Sequence, residues 1–197
     1  LMIVPILICI KYSRRIKSDV ASSIVKCLIF TIVTILSNGL SAFSGNETFS
    51  YIMEALYRFS FDLMLIYVLQ YSQQYTRVFH EVSPFKKGCF IIAYLDGILL
   101  FLNIIFHNVF TIETVRFPNF DMYHVADKSI IFYFHYVFAY GLVFCIIASF
   151  IIKIIQIPDF YRKKYLPILV LMCVITVSKF ICGILEFPID VSLPFFV

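Results

Sequence analysis

Three ionisable residues stand four apart in the apolar stretch "EALYRFSFD", which contains Glu54, Arg58 and Asp62. On an α-helix, successive residues are turned by about 100°, so this charged stripe spans only about 80° of arc. An acid, a base and an acid on one helix face can pair with one another or surround a polar ligand. The stripe therefore predicts either an internal ion network or a ligand-binding site.

Two further charges, Asp96 and Lys179, interrupt other apolar stretches. With a rise of about 1.5 Å per residue, Asp96 is predicted at a depth near that of Asp62, and Lys179 between Glu54 and Arg58. In an ion network, Arg58 would lie between Glu54 and Asp62, and Lys179 would reach Glu54. In a ligand pocket, the same side chains would line a polar cavity in the outer half of a bundle. Both interpretations stay open.

Histidines are the other candidates for chemistry. His107 follows Asn103 by four residues, so both are predicted to project from one helix face, and His135 opens the next helix. Two histidines on adjacent helices can contribute to a metal site, but no third ligand is evident beyond His124 in the intervening loop. The alternative is interfacial histidines bonded to backbone or water. We therefore predict no metal.

The candidate residues fall into two groups, with Asp62 and Asp96 expected as buried charges. The predicted ligand-binding set in the outer half of the bundle is Glu54, Arg58, Asn103, His107, His135 and Lys179. The sequence contains no G-x-S-x-G, no H-E-x-x-H and no phosphate-binding glycine loop. Neither catalysis by this chain nor a cofactor is expected.

The elements that must position these residues follow from composition. Hydrophobic residues make up 61% of the 197 and charged residues only 14%, whereas a soluble domain is about half apolar and a quarter charged. We predict an all-α, polytopic transmembrane bundle. It has five full spans and parts of a first (1–10) and a seventh, which starts at "LPFFV". The full spans are 24–44, 50–72, 89–110, 130–152 and 165–187.

Charges in the connecting loops predict the orientation. "KYSRRIKSD", "YTRVFHEVSPFKKG" and "KIIQIPDFYRKK" carry most of the loop Lys and Arg, whereas "SGNET" and "EFPIDVS" carry none. The positive-inside rule places the basic loops in the cytosol, so a complete chain would start outside and end inside. The long outer loop, 111–129, is too short for a folded extracellular domain, and Pro118 argues against a helix through its middle. The expected surroundings are the lipid bilayer, with no nucleic-acid partner.

Several stretches resemble the histidine kinase N-terminal seven-transmembrane region, a bacterial sensor input module. The resemblance rests on the order and spacing of weak motifs, and Glu54, Arg58 and Lys179 match none of them. The motifs are "YVLQYSQQY" (67–75), "LNIIFHNVF" (102–110), "FYFHYVFAYGLVFCIIASFIIK" (132–153), "YLPILVLMCVITVSKFICGI" (165–184) and "IDVSLPFF" (189–196).

The resemblance implies that residues 1–197 are a transmembrane sensor domain, a fragment that would regulate a C-terminal histidine kinase or GGDEF-type diguanylate cyclase. Such a domain would detect an extracellular or membrane signal. Modules of this kind usually act as dimers, although no G-x-x-x-G motif is present. The alternative is a small transporter or channel, in which Asp62 and Asp96 carry a proton or another cation.

Overall fold

The computed structural model describes residues 3–16, 18–42, 46–78, 83–116 and 121–184. In chain order these form α1, α2, α3, α4, β1, β2, α5 and α6. Their bounds are Ile3–Ser13, Asp19–Ala42, Glu47–Thr76, Ser83–Phe106, Phe110–Arg116, Asp121–Lys128, Ile130–Gln156 and Asp159–Ile184. The prediction of an all-helical bundle is confirmed, with one small β-hairpin added.

Three helices are long and apolar enough to cross a bilayer: α2, residues Pro84–Phe106 of α4, and α5. The predicted count of five full spans is therefore not supported within the described residues. Helix α3 has the length, with 30 residues, but its charged stripe and its glutamines lower its hydropathy. Helix α6 opens on the charged turn "DFYRKK", which shortens its apolar part.

Helix α3 is the centre of the bundle and packs against α2, α4 and α5. Its contact with α2 is the most extensive, because α2 turns a seam of small and hydroxyl residues toward it. The members of this seam are all buried: Ala21, Ser23, Thr31, Thr34, Ser37, Ser41 and Ala42. Small side chains let two helices approach closely, which is how helices associate where lipid removes the hydrophobic driving force.

The seam hydroxyls are bonded along its length. Thr31 and Thr34 donate to backbone carbonyls one turn earlier in α2, at 2.9 and 2.7 Å. Near the first turn of α2, Ser23 Oγ donates to Gln74 Oε1 of α3 at 2.9 Å. At the opposite end Ser50 Oγ donates to the Ser41 carbonyl at 2.8 Å. Polar contacts thus fix the register of α2 against α3 at both ends.

The loop between α4 and α5, for which only a helix was argued against, is an antiparallel hairpin in which β1 pairs with β2, from Phe110 opposite Lys128 to Arg116 opposite Asp121. Its strands carry the alternating pattern of a half-buried ribbon, in which Phe110 and Ile112 are buried. Pro118 lies between the two strands in sequence. A proline there disfavours a continuous helix over the loop but is compatible with a hairpin. The ribbon packs through Phe110 and Ile112 onto the start of α3, where Tyr51 Oη accepts from the Ile112 amide at 3.0 Å. We call this the hairpin end of the bundle.

Two apolar clusters form the core. One, at the hairpin end, joins Tyr51 and Ala55 of α3 to Phe110 and Phe132. The larger one surrounds the rest of α3, from Tyr57 to Leu69, with residues of α4, α5 and α6. Along α3 the charged stripe lies where the two clusters adjoin, so its side chains are enclosed on both sides by apolar groups.

Gly97 sets the separation of α3 and α4 beside Asp96. A Cβ at this position would lie 2.5 Å from ring carbon Cδ2 of Phe59 in α3, so any larger residue must displace that ring. We expect Gly97→Ala to destabilise the bundle by about 1–3 kcal/mol, as overpacking does elsewhere. Gly88→Ala in the same helix is the control, since its Cβ would meet nothing within 4 Å.

The chain has no tryptophan, so unfolding is best followed by thiol-reactive dye labelling of buried Cys89, with the other cysteines replaced by alanine. The midpoint temperature in detergent should fall for Gly97→Ala and should stay the same or rise for Gly88→Ala, since alanine is the better helix former. Equal midpoints for the two variants would show that the close approach at Phe59 has no energetic weight.

Candidate functional site

One acid from α3, one from α4 and one histidine from α5 meet inside the bundle. His135 Nδ1 lies 2.8 Å from Asp96 Oδ2 and 3.3 Å from Asp62 Oδ2. The possible ligand atoms of the three side chains lie within 4.8 Å of one another. The exposed fraction is 0% for Asp62, 2% for Asp96 and 3% for His135. We call Asp62, Asp96 and His135 the acid–histidine cluster.

The acids of this cluster differ in how they are satisfied. Asp96 is within hydrogen-bond distance of the His135 ring nitrogen. Neither oxygen of Asp62 has a hydrogen-bond partner among the described residues, although the side chain is fully buried. A buried polar group without a partner costs about 1–3 kcal/mol, and more if it is charged. The cluster is thus incomplete at Asp62.

The other two stripe residues form a separate ion pair. Arg58 Nη2 donates to Glu54 Oε1, one turn away on α3, and both side chains are buried. Glu54 Oε2 also accepts from Ser41 Oγ of α2 at 3.3 Å. The acid thereby has a partner at each oxygen. The predicted network with Arg58 between the two acids is replaced by this pair, while Asp62 faces His135.

Aromatic rings enclose the Arg58 guanidinium. Its Cζ lies 4.2 Å from the ring centroid of Phe132 on α5, and between 5.7 and 5.8 Å from three other rings. These belong to Tyr57, Phe110 and Tyr136. A guanidinium over an aromatic face is stabilised by about 0.5–2 kcal/mol, more when desolvated. Arg58 is therefore held by an anion and by π-faces, which leaves little of it for a ligand.

Asn103, predicted to bind ligand, instead holds the turn that joins α4 to the hairpin. Its Nδ2 donates to the Phe110 carbonyl at 2.9 Å, and its Oδ1 accepts from the Val109 and Phe110 amides at 2.7 and 3.3 Å. The side chain is fully buried. These bonds engage both the oxygen and the nitrogen of the amide at the turn.

His107, which was grouped with Asn103, lies just beyond the last residue of α4 in the left-handed region, with φ of 49°. It is exposed, and its ring packs on Tyr51 at 4.6 Å between centroids. The structure does not bring it near His135. The side chain of Lys179 in α6 lies outside the described residues.

His135 is the residue whose surroundings the sequence mispredicted. It is only five residues into α5, so it was placed near the outer surface, whereas Asp62 stands fifteen residues into α3. The two touch because α3 begins about 15 Å further out than α5, and the hairpin fills the space beside the first turns of α3. The side chains that contact His135 are therefore two carboxylates, Asp62 and Asp96, and not a second histidine.

Charge balance limits what the cluster can do. The Glu54–Arg58 pair cancels internally. The remaining cluster has two acids and one imidazole, and together they can carry two negative charges with at most one positive charge. Two carboxylates this close do not both ionise without compensation, and uncompensated charge inside a membrane is costly. The cluster is suited to taking up positive charge.

Comparisons with known proteins add no assignment: no family model, no curated protein and no solved structure matches this chain. The resemblance to the seven-transmembrane sensor region therefore remains a prediction from short motifs.

The Glu54–Arg58 pair yields a stability prediction. Arg58→Met leaves Glu54 buried opposite no cation, and breaking a buried pair in this way costs about 3–5 kcal/mol. In the double variant Glu54→Gln/Arg58→Met no unpaired charge remains, so a large part of that loss should return. The measurement is the unfolding midpoint of both variants and of Glu54→Gln alone. A double variant as unstable as Arg58→Met would show that the cation–π contacts, and not the ion pair, hold this region.

A second prediction concerns the turn at Asn103. Asn103→Ala removes the partners of two buried amides and one carbonyl, so we expect a loss of about 2–4 kcal/mol from these unsatisfied groups. Asn108→Ala is the control, because Asn108 lies in the same turn and is exposed. It should leave the unfolding temperature unchanged. Thermal unfolding of both in detergent checks this. If Asn103→Ala keeps wild-type stability and instead weakens the binding of a solute, the predicted ligand role would be restored.

Proposed function

We propose that this chain is a small polytopic membrane transporter or channel for cations, with Asp62, Asp96 and His135 as its cation site. One observation carries the proposal. Two carboxylates and an imidazole from three different helices converge where the residues are at most 3% exposed. Ionisable residues inside membrane helices are costly and mark ion or substrate pathways by default.

The distribution over three helices supports translocation over a static role. Each of α3, α4 and α5 contributes one side chain, so the presence or absence of positive charge changes the attraction between the helices themselves. A bound cation draws the three together, and its loss leaves two acids repelling each other. A ligand shifts a conformational equilibrium only through such differential interactions, and here the site supplies them directly.

The proposal includes the membrane topology. Helices α3 and α6 would cross the bilayer beside α2, α4 and α5, giving the five spans predicted from the sequence. The charged stripe does not prevent α3 from crossing, because its neighbours shield it from lipid. Loop charges favour the hairpin end outside and the basic loops in the cytosol.

A sensory role is the second candidate, and the hairpin favours it. The Phe110 ring of β1 packs against the Arg58 guanidinium. A ligand that moved the hairpin would therefore directly shift a contact of the buried Glu54–Arg58 pair. Regulation of a kinase or cyclase, and a homodimer to support it, remain predictions from the resemblance. This candidate would be favoured if changes in the hairpin altered the activity of an output domain joined to the chain, while no solute crossed the membrane.

The transport proposal is tested in liposomes containing the full chain. An inward gradient of H⁺ or of a divalent metal is imposed under a K⁺ diffusion potential, and entry is followed with a pH-sensitive or metal-sensitive dye. We expect entry well above that of empty vesicles and at least about tenfold slower entry for Asp96→Asn, because that change removes one of the two negative charges that attract the cation.

Asp127→Asn is the matched control. It makes the same acid-to-amide change on the exposed hairpin, where it should not alter entry. Wild-type rates equal to those of empty vesicles for every cation, or equal rates for Asp96→Asn and wild type, would refute the transport function.

A further inference from the structure

We propose that the cation bound by Asp62, Asp96 and His135 is a divalent first-row transition metal of the Zn²⁺ class, coordinated by both acids and by His135 Nδ1. This inference deepens the transport proposal and rests on its assignment of the cluster as the cation site. The class of ion is inferred from the chemistry of the three side chains that would bind it.

The donor atoms identify the class of ion. Two carboxylate oxygens and one imidazole nitrogen suit Zn²⁺, Co²⁺ and their neighbours, which readily take nitrogen ligands. Ca²⁺ and Mg²⁺ prefer shells made of oxygen alone. A site for Na⁺, Ca²⁺ or Mg²⁺ would have no use for the histidine, which here makes the shortest contacts of the cluster.

The separations of His135 Nδ1 from the two acids fit a metal after a small adjustment, and the three ligand atoms lie within 4.8 Å of one another. Ligand atoms about 2.0–2.2 Å from a tetrahedral Zn²⁺ are about 3.4 Å from one another. His135 Nδ1 is already 3.3 Å from Asp62 Oδ2. It is 2.8 Å from Asp96 Oδ2, so this pair would separate by about 0.6 Å as the metal replaces the hydrogen bond.

Asp62 gives independent support. Its oxygens are buried and have no hydrogen-bond partner among the described residues, yet one of them faces the His135 nitrogen. A metal would complete the surroundings of this carboxylate, which among the described residues has the 3.3 Å ion-pair contact with His135 Nδ1 but no hydrogen bond. Three protein ligands would also leave a fourth position open, as in sites that exchange what they bind.

A dication closes the charge balance of the fully deprotonated cluster. With Glu54 and Arg58 paired, two carboxylates and a neutral imidazole carry two negative charges, which one M²⁺ cancels. A monovalent metal ion would leave one charge uncompensated in the bundle. Neutrality of the loaded site would also lower the cost of carrying the ion through the apolar interior.

Metal binding is measured directly on the full chain in nanodiscs after treatment with a chelator. Co²⁺ is the probe, because its d–d absorption reports coordination number and ligand type. We expect one Co²⁺ per chain with the spectrum of a nitrogen–oxygen site, displaced by Zn²⁺ and not by excess Mg²⁺. Asp62→Asn, Asp96→Asn and His135→Gln should each weaken binding by at least about 100-fold, since loss of outer-shell partners alone costs 10–100-fold.

His107→Gln is the matched control for adventitious binding, because this histidine is exposed and does not belong to the cluster. It should leave Co²⁺ affinity unchanged. A cobalt–thiolate charge-transfer band would place the metal at cysteines, such as exposed Cys9 or Cys173, and would overturn the inference. If the wild-type chain did not bind Co²⁺ stoichiometrically, the metal-site inference would be wrong, whatever the variants showed.

Failure of this inference and failure of the transport function are distinguishable. Asp96-dependent H⁺ entry into liposomes with no Co²⁺ binding would refute the metal and leave cation transport in place. Stoichiometric Co²⁺ at the cluster, with no cation entry, would remove transport and leave a metal site inside the membrane.

Discussion

The bundle depends on compensating the charges that α3 carries into an apolar interior. A helix with Glu54, Arg58 and Asp62 on one face is stable there only if its neighbours supply partners, because isolated charges are not tolerated in such surroundings. The neighbours do so in sequence along the helix. Helix α2 offers a hydroxyl to Glu54, aromatic rings enclose Arg58, and α5 brings His135 to Asp62, where α4 adds a second acid, Asp96.

One turn of α5 joins the two charge systems. Phe132 and Tyr136 contact the Arg58 guanidinium, and His135, which lies between them in sequence, faces the two acids. A rotation or shift of this turn cannot alter one system without altering the other. Phe110 extends the connection to the hairpin, so the outermost element and the innermost acids are linked through about two layers of side chains.

The sequence was sufficient for the helices and for the burial of polar residues, because long apolar runs and interrupted hydropathy are local signals. It was insufficient for partners. The depth of Asp96 was estimated well from its own helix, but the depth of His135 depended on how far α5 starts below α3, which the hairpin decides. Asn103 was assigned to a ligand because its bonds to the Val109 and Phe110 backbone exist only once the turn has formed. Residue spacing within one helix does not encode the offset between helices.

The two charge systems serve as controls for each other, since they lie one turn apart on the same helix. A purely structural role leads to the arrangement seen at Glu54, where each carboxylate oxygen has a partner within the protein. At Asp62 neither carboxylate oxygen has a hydrogen bond among the described residues, as is also true of Arg58 Nε, and the base beside it, His135, is shared with a second acid, Asp96. Stability alone would favour a lysine, an amide or an apolar side chain at position 96. The pairing of two acids at a buried histidine is therefore the observation that supports the proposed cation site.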